Sequence, residues 1–127
     1  MQINLVDLVL AMKKKIYDEL LEDYKNVFNE PVKYDNEIAD SIKFYQSLNK
    51  KQQGLVFNLI ENSSWNTMSS FLAWLDGTYL LENQPEHVNL KYDGETKNLN
   101  GYLSDIWVEM TIDKTDIDAM REVYNNL

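Results

Sequence analysis

Apolar residues between positions 65 and 75 recur at helical spacing, and this stretch constrains the fold more than any other. Five of them share one helical face at i, i+3, i+6, i+7 and i+10, namely Trp65, Met68, Phe71, Leu72 and Leu75. Ala73 and Trp74 widen this face, so a helix here has little polar surface. A helix that is apolar nearly all round is buried by its neighbours. The stretch therefore predicts a central helix with other elements on two sides.

Two helices are predicted in the first fifty residues. Asn4 can cap the first helix with its side-chain oxygen. This helix extends to about Asn29, because Pro31 biases the residue before it away from helical angles. Its first turns, Leu5–Met12, are apolar nearly all round, which predicts burial in the core, with a contact to a second copy as the alternative. The second helix is expected over residues 35–48.

A third helix is predicted from residue 50 onward. Asn49 and Gln52 have the spacing of a capping box, in which each side chain accepts the other residue's backbone N–H. Gly54 weakens this helix by about 1 kcal/mol relative to alanine, so we expect close packing against a neighbour there. Residues 62–64, Asn-Ser-Ser, favour a cap. We therefore expect this helix to end there and the Trp65 helix to begin.

After the central helix the pattern changes to that of strands. Gly77 lies where a left-handed C-terminal cap is required. Residues 79–82 resemble a strand, Pro85 lies in a turn, and apolar and polar residues alternate over 88–92. This predicts one small antiparallel β-hairpin. A lone hairpin is marginally stable in water, so it must pack on the helices or pair with another edge.

Two more helices are predicted in the last third of the chain. The apolar face of the first consists of Leu103, Ile106, Trp107 and Met110. Thr115 and Asp118 predict a capping box for a short last helix. We therefore expect a single domain over residues 1–127 that is mainly α-helical, with five or six helices in a bundle-like arrangement and one β-hairpin. An α+β domain is the alternative.

Composition argues against several classes of protein. The chain has no cysteine, which excludes disulfides and thiolate metal sites and fits a reducing compartment. Its net charge is −9, whereas binding to nucleic acid requires clustered Lys and Arg. No basic residues precede the apolar opening, as a signal peptide requires, and no apolar run reaches the about 20 residues that span a bilayer. We expect a cytoplasmic protein that binds neither nucleic acid nor membranes.

Negative charge is concentrated in residues 93–127, which carry a net charge of −5. Such a surface speeds association with a cationic partner, and tyrosine and tryptophan are enriched at the centres of interfaces. Core packing is the alternative role for any one of the tyrosines. The predicted partner-binding residues are Tyr79, Tyr92, Asp93, Glu95, Tyr102, Asp105, Glu109, Asp113 and Asp116.

Catalytic and metal sites find little support in the residues. His87 is the single histidine, which excludes sites that require two. Asp105 and Glu109, with Asp113, carry the oxygen ligands that magnesium requires, but two acids four apart on a helix usually form a solvated face. No Gly-rich phosphate loop is present. We predict a protein that is not an enzyme and has no cofactor or metal. A metal-dependent hydrolase using Asp105 and Glu109 is one alternative.

A scattered pattern in residues 75–109 resembles a known group of proteins. It consists of Leu75-Asp76-Gly77, Leu81-Glu82, Leu99-Asn100, Leu103-Ser104-Asp105 and Glu109. The pattern resembles small acidic bacterial proteins, some of which are immunity partners of polymorphic or contact-dependent toxins. It includes no established functional residue. The resemblance implies a bacterial cytoplasmic setting and a binding role.

The function we expect is that of an acidic protein-binding domain of the immunity type. It would bind and neutralise a cationic toxin domain, for example a nuclease, through residues 93–122 and the hairpin. Charge complementarity would raise the association rate, and buried aromatic anchors would slow dissociation. The alternative from another class is a structural or regulatory homo-oligomer, for example a homodimer, that associates through Leu5–Met12 or the hairpin edge.

Overall fold

The computed structural model describes residues 4–78, 81–83 and 88–127. Over these residues the chain forms five continuous helices and no β-strand. Their segments are α1 (Leu5–Met12), the π-helical π1 (Lys13–Asp18), α2 (Glu19–Asn29), α3 (Glu37–Ser47), α4 (Lys50–Leu75), α5 (Leu103–Val108), the π-helical π2 (Glu109–Asp113) and α6 (Ile117–Tyr124). α1, π1 and α2 form one helix, as do α5 and π2. The predicted mainly α-helical class is confirmed. In the described parts of the chain no helix is long and apolar enough to cross a membrane.

The capping signals in the first fifty residues are confirmed. Asn4, the predicted cap of the first helix, accepts a hydrogen bond from the Val6 N–H at 3.0 Å. Asn36 caps α3 by accepting the Ala39 N–H at 2.8 Å, where the sequence predicted a helix over residues 35–48 but no particular cap. Asn49 and Gln52 form the predicted capping box, with hydrogen bonds of 2.9 and 3.0 Å. The chain leaves the helical conformation immediately before Pro31, as expected for a residue that precedes proline.

The predicted break at residues 62–64 is wrong, because α4 continues through these positions as one helix of 26 residues. Helix propensity is a weak term that tertiary packing overrides. Here the packing comes from Trp65, whose ring lies 6.4 Å from that of Trp107 and whose Nε1 donates a hydrogen bond to Thr111 Oγ1 at 2.7 Å. α4 is therefore a single rod about 39 Å long.

Gly54 in α4 does not make the expected close contact. A Cβ atom built at this position would have nothing within 4 Å, and the residue is exposed. The glycine is therefore not required by any neighbouring element.

The core lies around the C-terminal half of α4. Its cluster of buried side chains comes from α1, α4, α5, π2, α6 and the loop before α5: Leu5, Val6, Val9, Met68, Leu72, Leu75, Leu99, Leu103, Ile106, Trp107, Met110, Met120 and Tyr124. Leu8, Leu10 and Met12 pack against this cluster as well, so the apolar surface of α1 is covered by the chain itself. Phe71 differs from the expectation, because it is exposed.

The described part of the predicted hairpin forms no strand. Tyr79, Leu80 and residues 84–87 lie outside the described residues, and residues 81–83 and 88–92 are irregular. Residues 88–90 lie instead beside 99–100, where the Leu99 N–H donates to the Leu90 carbonyl at 2.8 Å. The predicted hairpin is therefore not shown by the described residues, in which the 88–90 segment is held by bonds to residues 99 and 100.

The C-terminal end of α4 confirms the predicted glycine cap. Gly77 has a φ of 79°, and its N–H donates to the Trp74 carbonyl at 3.1 Å. The Thr78 N–H donates to the Ala73 carbonyl at 3.1 Å. This pair of bonds is a Schellman motif, which turns the chain sharply after Asp76.

Asp76 connects the end of α4 to the start of α5. Its carboxylate accepts hydrogen bonds from the backbone N–H groups of Gly101 at 2.6 Å, Leu103 at 3.1 Å and Ser104 at 2.7 Å. The first N–H groups of a helix have no partner within the helix. Asp76 therefore caps α5 from at least 25 positions earlier in the chain. The residue at the N-cap position itself, Tyr102, makes no side-chain capping hydrogen bond.

Asn100 adds to this connection through both the nitrogen and the oxygen of its side-chain amide. Its Nδ2 donates to the carbonyls of Leu75 and Val88, and its Oδ1 accepts the Leu90 N–H at 2.9 Å. One side chain thus holds α4 and the 88–90 segment together. We call Asp76 and Asn100 the α4–α5 junction.

α6 begins one residue later than predicted. Asp116, rather than Thr115, is the N-cap, and its carboxylate accepts the Ala119 N–H at 3.0 Å. Lys114 adopts a left-handed conformation with a φ of 53°, and the Thr115 N–H donates to the Glu109 carbonyl at 2.9 Å. Because Thr115 closes the end of π2, the predicted capping box with Asp118 is wrong.

The junction gives a stability prediction. Replacing Asp76 by alanine leaves three N–H groups without an acceptor, and we expect a loss of about 2–3 kcal/mol in the free energy of unfolding. Urea denaturation followed by far-UV circular dichroism measures this loss. The control is Asp93→Ala, at an exposed acid, which should change stability by less than about 0.5 kcal/mol. Equal effects of the two substitutions would contradict the role given to Asp76.

Candidate protein-binding surfaces

The structure brings three of the predicted partner-binding residues together with one that was not predicted. The ring of Tyr102 lies 6.1 Å from the ring of Tyr124, and the Tyr124 hydroxyl donates to Glu109 Oε2 at 2.8 Å. Asp105 lies one helical turn before Glu109 and acts electrostatically on Tyr124. We call Tyr102, Asp105, Glu109 and Tyr124 the tyrosine–acid surface.

Tyr124 is the buried member of this surface and fixes Glu109 by a hydrogen bond. Burial of its side chain raises its pKa well above the ordinary value of 10.0, and the hydrogen bond to Glu109 and the charges of Glu109 and Asp105 raise it further. The phenol therefore stays protonated and donates to Glu109 at all neutral and moderately basic pH values. Tyr124 is buried on the inward face of α6.

The remaining predicted residues lie on loops or have structural roles. Tyr92, Asp93 and Glu95 are exposed in the loop before α5. Asp113 is exposed at the end of π2, whereas Asp116 caps α6. Tyr79 lies outside the described residues.

The only arginine of the chain is neutralised beside this surface. Arg121 Nε and Nη2 donate to Asp7 Oδ1 at 3.1 and 2.7 Å, and its Nη1 donates to Asp118 Oδ1 at 2.7 Å. Exposed ion pairs of this kind contribute little stability. Their effect here is electrostatic, since the carboxylates of the tyrosine–acid surface form no ion pair within the described part of the chain.

Asp105 and Glu109 are not joined by further metal ligands in the residues the structure describes. No group of three or more His, Cys, Asp or Glu side chains in those residues could hold a metal ion. Glu109 is engaged by Tyr124, and His87 lies outside the described residues. A hydrolytic metal site thus gains no geometric support.

An apolar groove lies between α2, α3 and the N-terminal half of α4. Its volume is about 960 Å³. Ile38, Phe44 and Leu59 line it and are 71%, 64% and 71% exposed. Exposed apolar side chains that cluster on one surface make it a candidate for an interaction site. We call it the α2–α4 groove.

The sequence pattern does not predict this groove. The helical spacing of Ile38 on α3 and Leu59 on α4 is that of core-facing residues. The core elements α1, α5 and α6 contribute no side chain to the lining of the groove. These two positions are therefore open to solvent. The small number of predicted helices could have indicated the groove, since few elements are available to cover the apolar faces of α2, α3 and the N-terminal half of α4.

A smaller cavity of about 700 Å³ lies between π1, π2 and α4. π-helical turns are frequent at functional sites, but three of the polar side chains that line this cavity already have partners within the chain. Lys13 pairs with Asp18 at 2.8 Å, and Thr111 holds Trp65. Burial raises the pKa of Tyr17, and the charges of Glu61 and then Asp18 raise it further. This cavity is therefore a weaker candidate than the groove.

Comparison with known proteins gives no family for this chain. No protein-family model matches it, and no curated protein or solved structure matches it either. Its function is therefore inferred from its own surfaces.

Tyr124 gives a prediction about pH. A pKa raised on folding contributes stability that is fully present below the unfolded value of about 10 and is lost as the pH rises above it. We expect the wild-type protein to lose stability more steeply than Tyr124→Phe between about pH 9.5 and 11. At neutral pH the substitution should cost about 1 kcal/mol.

Urea denaturation at a series of pH values measures both effects. Tyr92→Phe, at an exposed ring, is the control and should follow the wild-type profile. Parallel loss of stability in wild type and Tyr124→Phe over this range would show that the Tyr124 hydroxyl is not held as described.

Proposed function

We propose that the protein is an acidic binding protein of the toxin-immunity type, which binds and neutralises a cationic protein without catalysing a reaction. The observation that carries this proposal is the tyrosine–acid surface. There Asp105 and Glu109 stand beside an exposed tyrosine, with no compensating cation paired to them within the described residues.

Charge supports the choice of a cationic partner. The chain carries a net charge of −9, and Arg121 is already paired with two carboxylates. A surface of one sign concentrates partners of the opposite sign and raises the rate of encounter. It also disfavours acidic proteins and nucleic acids as partners.

The tyrosines support a protein rather than a simple counterion as the partner. Tyr102 is exposed, and its ring lies against that of the buried Tyr124, which limits its freedom before binding. Rigid aromatic side chains bury a large area at small entropic cost, and they are frequent at the centres of interfaces. Tyr102 is therefore the proposed anchor, and the acids around it provide attraction.

A homo-oligomer formed through Leu5–Met12 has less support. Leu5, Val6 and Val9 are buried in the core of the chain itself, which leaves little apolar surface on α1 for a second copy. The hairpin edge, the other surface considered for self-association, forms no strand in the described residues.

Gene context and direct binding test the proposal together. We expect an adjacent open reading frame to encode a larger protein with a basic C-terminal domain. That domain, purified, should bind this chain, and co-expression of the chain should rescue growth when the domain is produced in bacteria. Absence of such a neighbour, or a neighbouring basic domain that does not bind, would contradict the proposal.

A kinetic experiment with the same domain tests the role of charge. Asp93→Asn, Glu95→Gln and Asp105→Asn combined should lower the association rate about tenfold at low ionic strength, with a dissociation rate changed less than about twofold. Surface plasmon resonance at several salt concentrations separates the two rates. The matched control removes three exposed acids elsewhere, by Glu22→Gln, Glu30→Gln and Asp35→Asn. An equal effect of the control would show that only net charge matters.

A further inference from the structure

The α2–α4 groove has an aromatic wall and an aliphatic rim. Phe28 of α2 lies 5.7 Å from Tyr24 and 5.1 Å from Tyr45 of α3, between ring centroids. Ile38 of α3 and Leu59 of α4 stand at the rim and are largely exposed. The groove is therefore apolar on α2, α3 and α4, the three helices that line it.

The charged side chains that line this groove are both acidic. They are Glu37 and Asp40, in the first turn of α3. Neither carboxylate forms an ion pair within the described residues. A complementary occupant carries positive charge at the position of these acids, and the aromatic wall also favours a cation placed over a ring face.

The backbone around the groove favours a helical occupant over an extended one. The groove is walled by α2, α3 and α4, whose backbone N–H and C=O groups are bonded within each helix away from its ends. An extended segment would therefore find no strand edge to pair with. An amphipathic helix satisfies its own backbone and presents only side chains at i, i+3, i+4 and i+7, which is the established helix-in-groove arrangement.

We infer that the α2–α4 groove binds a cationic amphipathic helix of a partner protein, with the apolar stripe of that helix against Ile38, Phe44 and Leu59. Lysine or arginine side chains beside the stripe pair with Glu37 and Asp40. The inference rests on the proposed function, since it names the chemistry of the partner, but it concerns a surface distinct from the tyrosine–acid surface. Two copies of this chain fit the groove less well, because their acidic residues would meet with no basic lining residue between them.

The test uses a synthetic peptide that forms an amphipathic helix of leucine and lysine, titrated into the full chain by isothermal calorimetry. A peptide of the same composition with a scrambled order lacks the apolar stripe, and a third peptide carries glutamine in place of lysine. Salt of about 0.3 M screens general attraction to the acidic chain. We expect the amphipathic lysine peptide to bind at least about tenfold more tightly than either of the others.

Two variants locate the binding in the groove. Ile38→Ser combined with Leu59→Ser removes exposed apolar surface at the rim and should weaken the peptide at least about tenfold. Glu37→Gln combined with Asp40→Asn should weaken it about threefold to tenfold. The matched control is Val123→Ser with Leu127→Ser, at apolar residues that are 60% and 58% exposed outside the groove, and it should bind as wild type does. Circular dichroism confirms that each variant is folded.

Each outcome decides between occupants. Unchanged binding in Ile38→Ser/Leu59→Ser overturns the groove, and equal binding of the glutamine peptide overturns the requirement for a cation. Light scattering tests for a second copy as the occupant. A stable wild-type dimer that becomes a monomer in Ile38→Ser/Leu59→Ser would identify that second copy and overturn the inference. Neutralising Asp105 of the tyrosine–acid surface together with Asp93 and Glu95 of the loop before α5 should leave peptide affinity within about twofold, so failure at the groove and failure of the proposed function are distinguishable.

Discussion

One carboxylate that binds three backbone N–H groups determines how the second half of the chain packs. Asp76, at the C-terminal end of α4, caps α5 by accepting the N–H groups of residues 101, 103 and 104. Leu103 is fully buried, and a buried N–H without an acceptor is costly. With α5 fixed in this way, Trp107 is held where Tyr17 packs edge-on at 5.3 Å and Trp65 stacks. The position of α5 thus determines where π1 and the middle of α4 meet.

This arrangement divides α4 into two halves with different neighbours. Its C-terminal half carries Met68, Leu72 and Leu75 into the core cluster, together with side chains of α1, α5 and α6. Its N-terminal half meets the α2–α3 pair, for example where Phe28 packs edge-on against Phe57, and one side is left as the α2–α4 groove. Tertiary contacts thus stabilise the C-terminal half of α4, while the N-terminal half presents apolar surface to solvent. The tyrosine–acid surface lies on the elements that pack around the C-terminal half of α4, and the groove lies beside its N-terminal half.

Sequence patterns predict the helix ends well where residues close together in the sequence determine them. Asn4, the Asn49–Gln52 capping box and Gly77 all have the predicted roles, because caps depend on a few adjacent residues. The error arises where a distant contact determines the structure: residues 62–64 remain helical because Trp65 packs on Trp107. The predicted hairpin is not shown by the described residues, in which 88–90 bonds to residues 99 and 100. Tyr102, Asp105 and Glu109 were predicted and do lie together, whereas the groove depends on which apolar faces stay uncovered. Five residues of the pattern that resembles immunity proteins, Leu75, Asp76, Asn100, Leu103 and Ser104, take part in the α4–α5 junction, so they contribute to the fold.

α4 is thus one rod with a tightly packed C-terminal half and an N-terminal half that is partly open to solvent. Hydrogen exchange of the full chain, followed by mass spectrometry, tests this directly, because amides exchange through local opening whose cost depends on packing. We predict slow exchange for residues 65–75 and 103–110, which open only with the whole core, and markedly faster exchange for residues 37–47 and 53–61. Equal protection of the two halves of α4, or slower exchange in the N-terminal half, would contradict this division of the molecule.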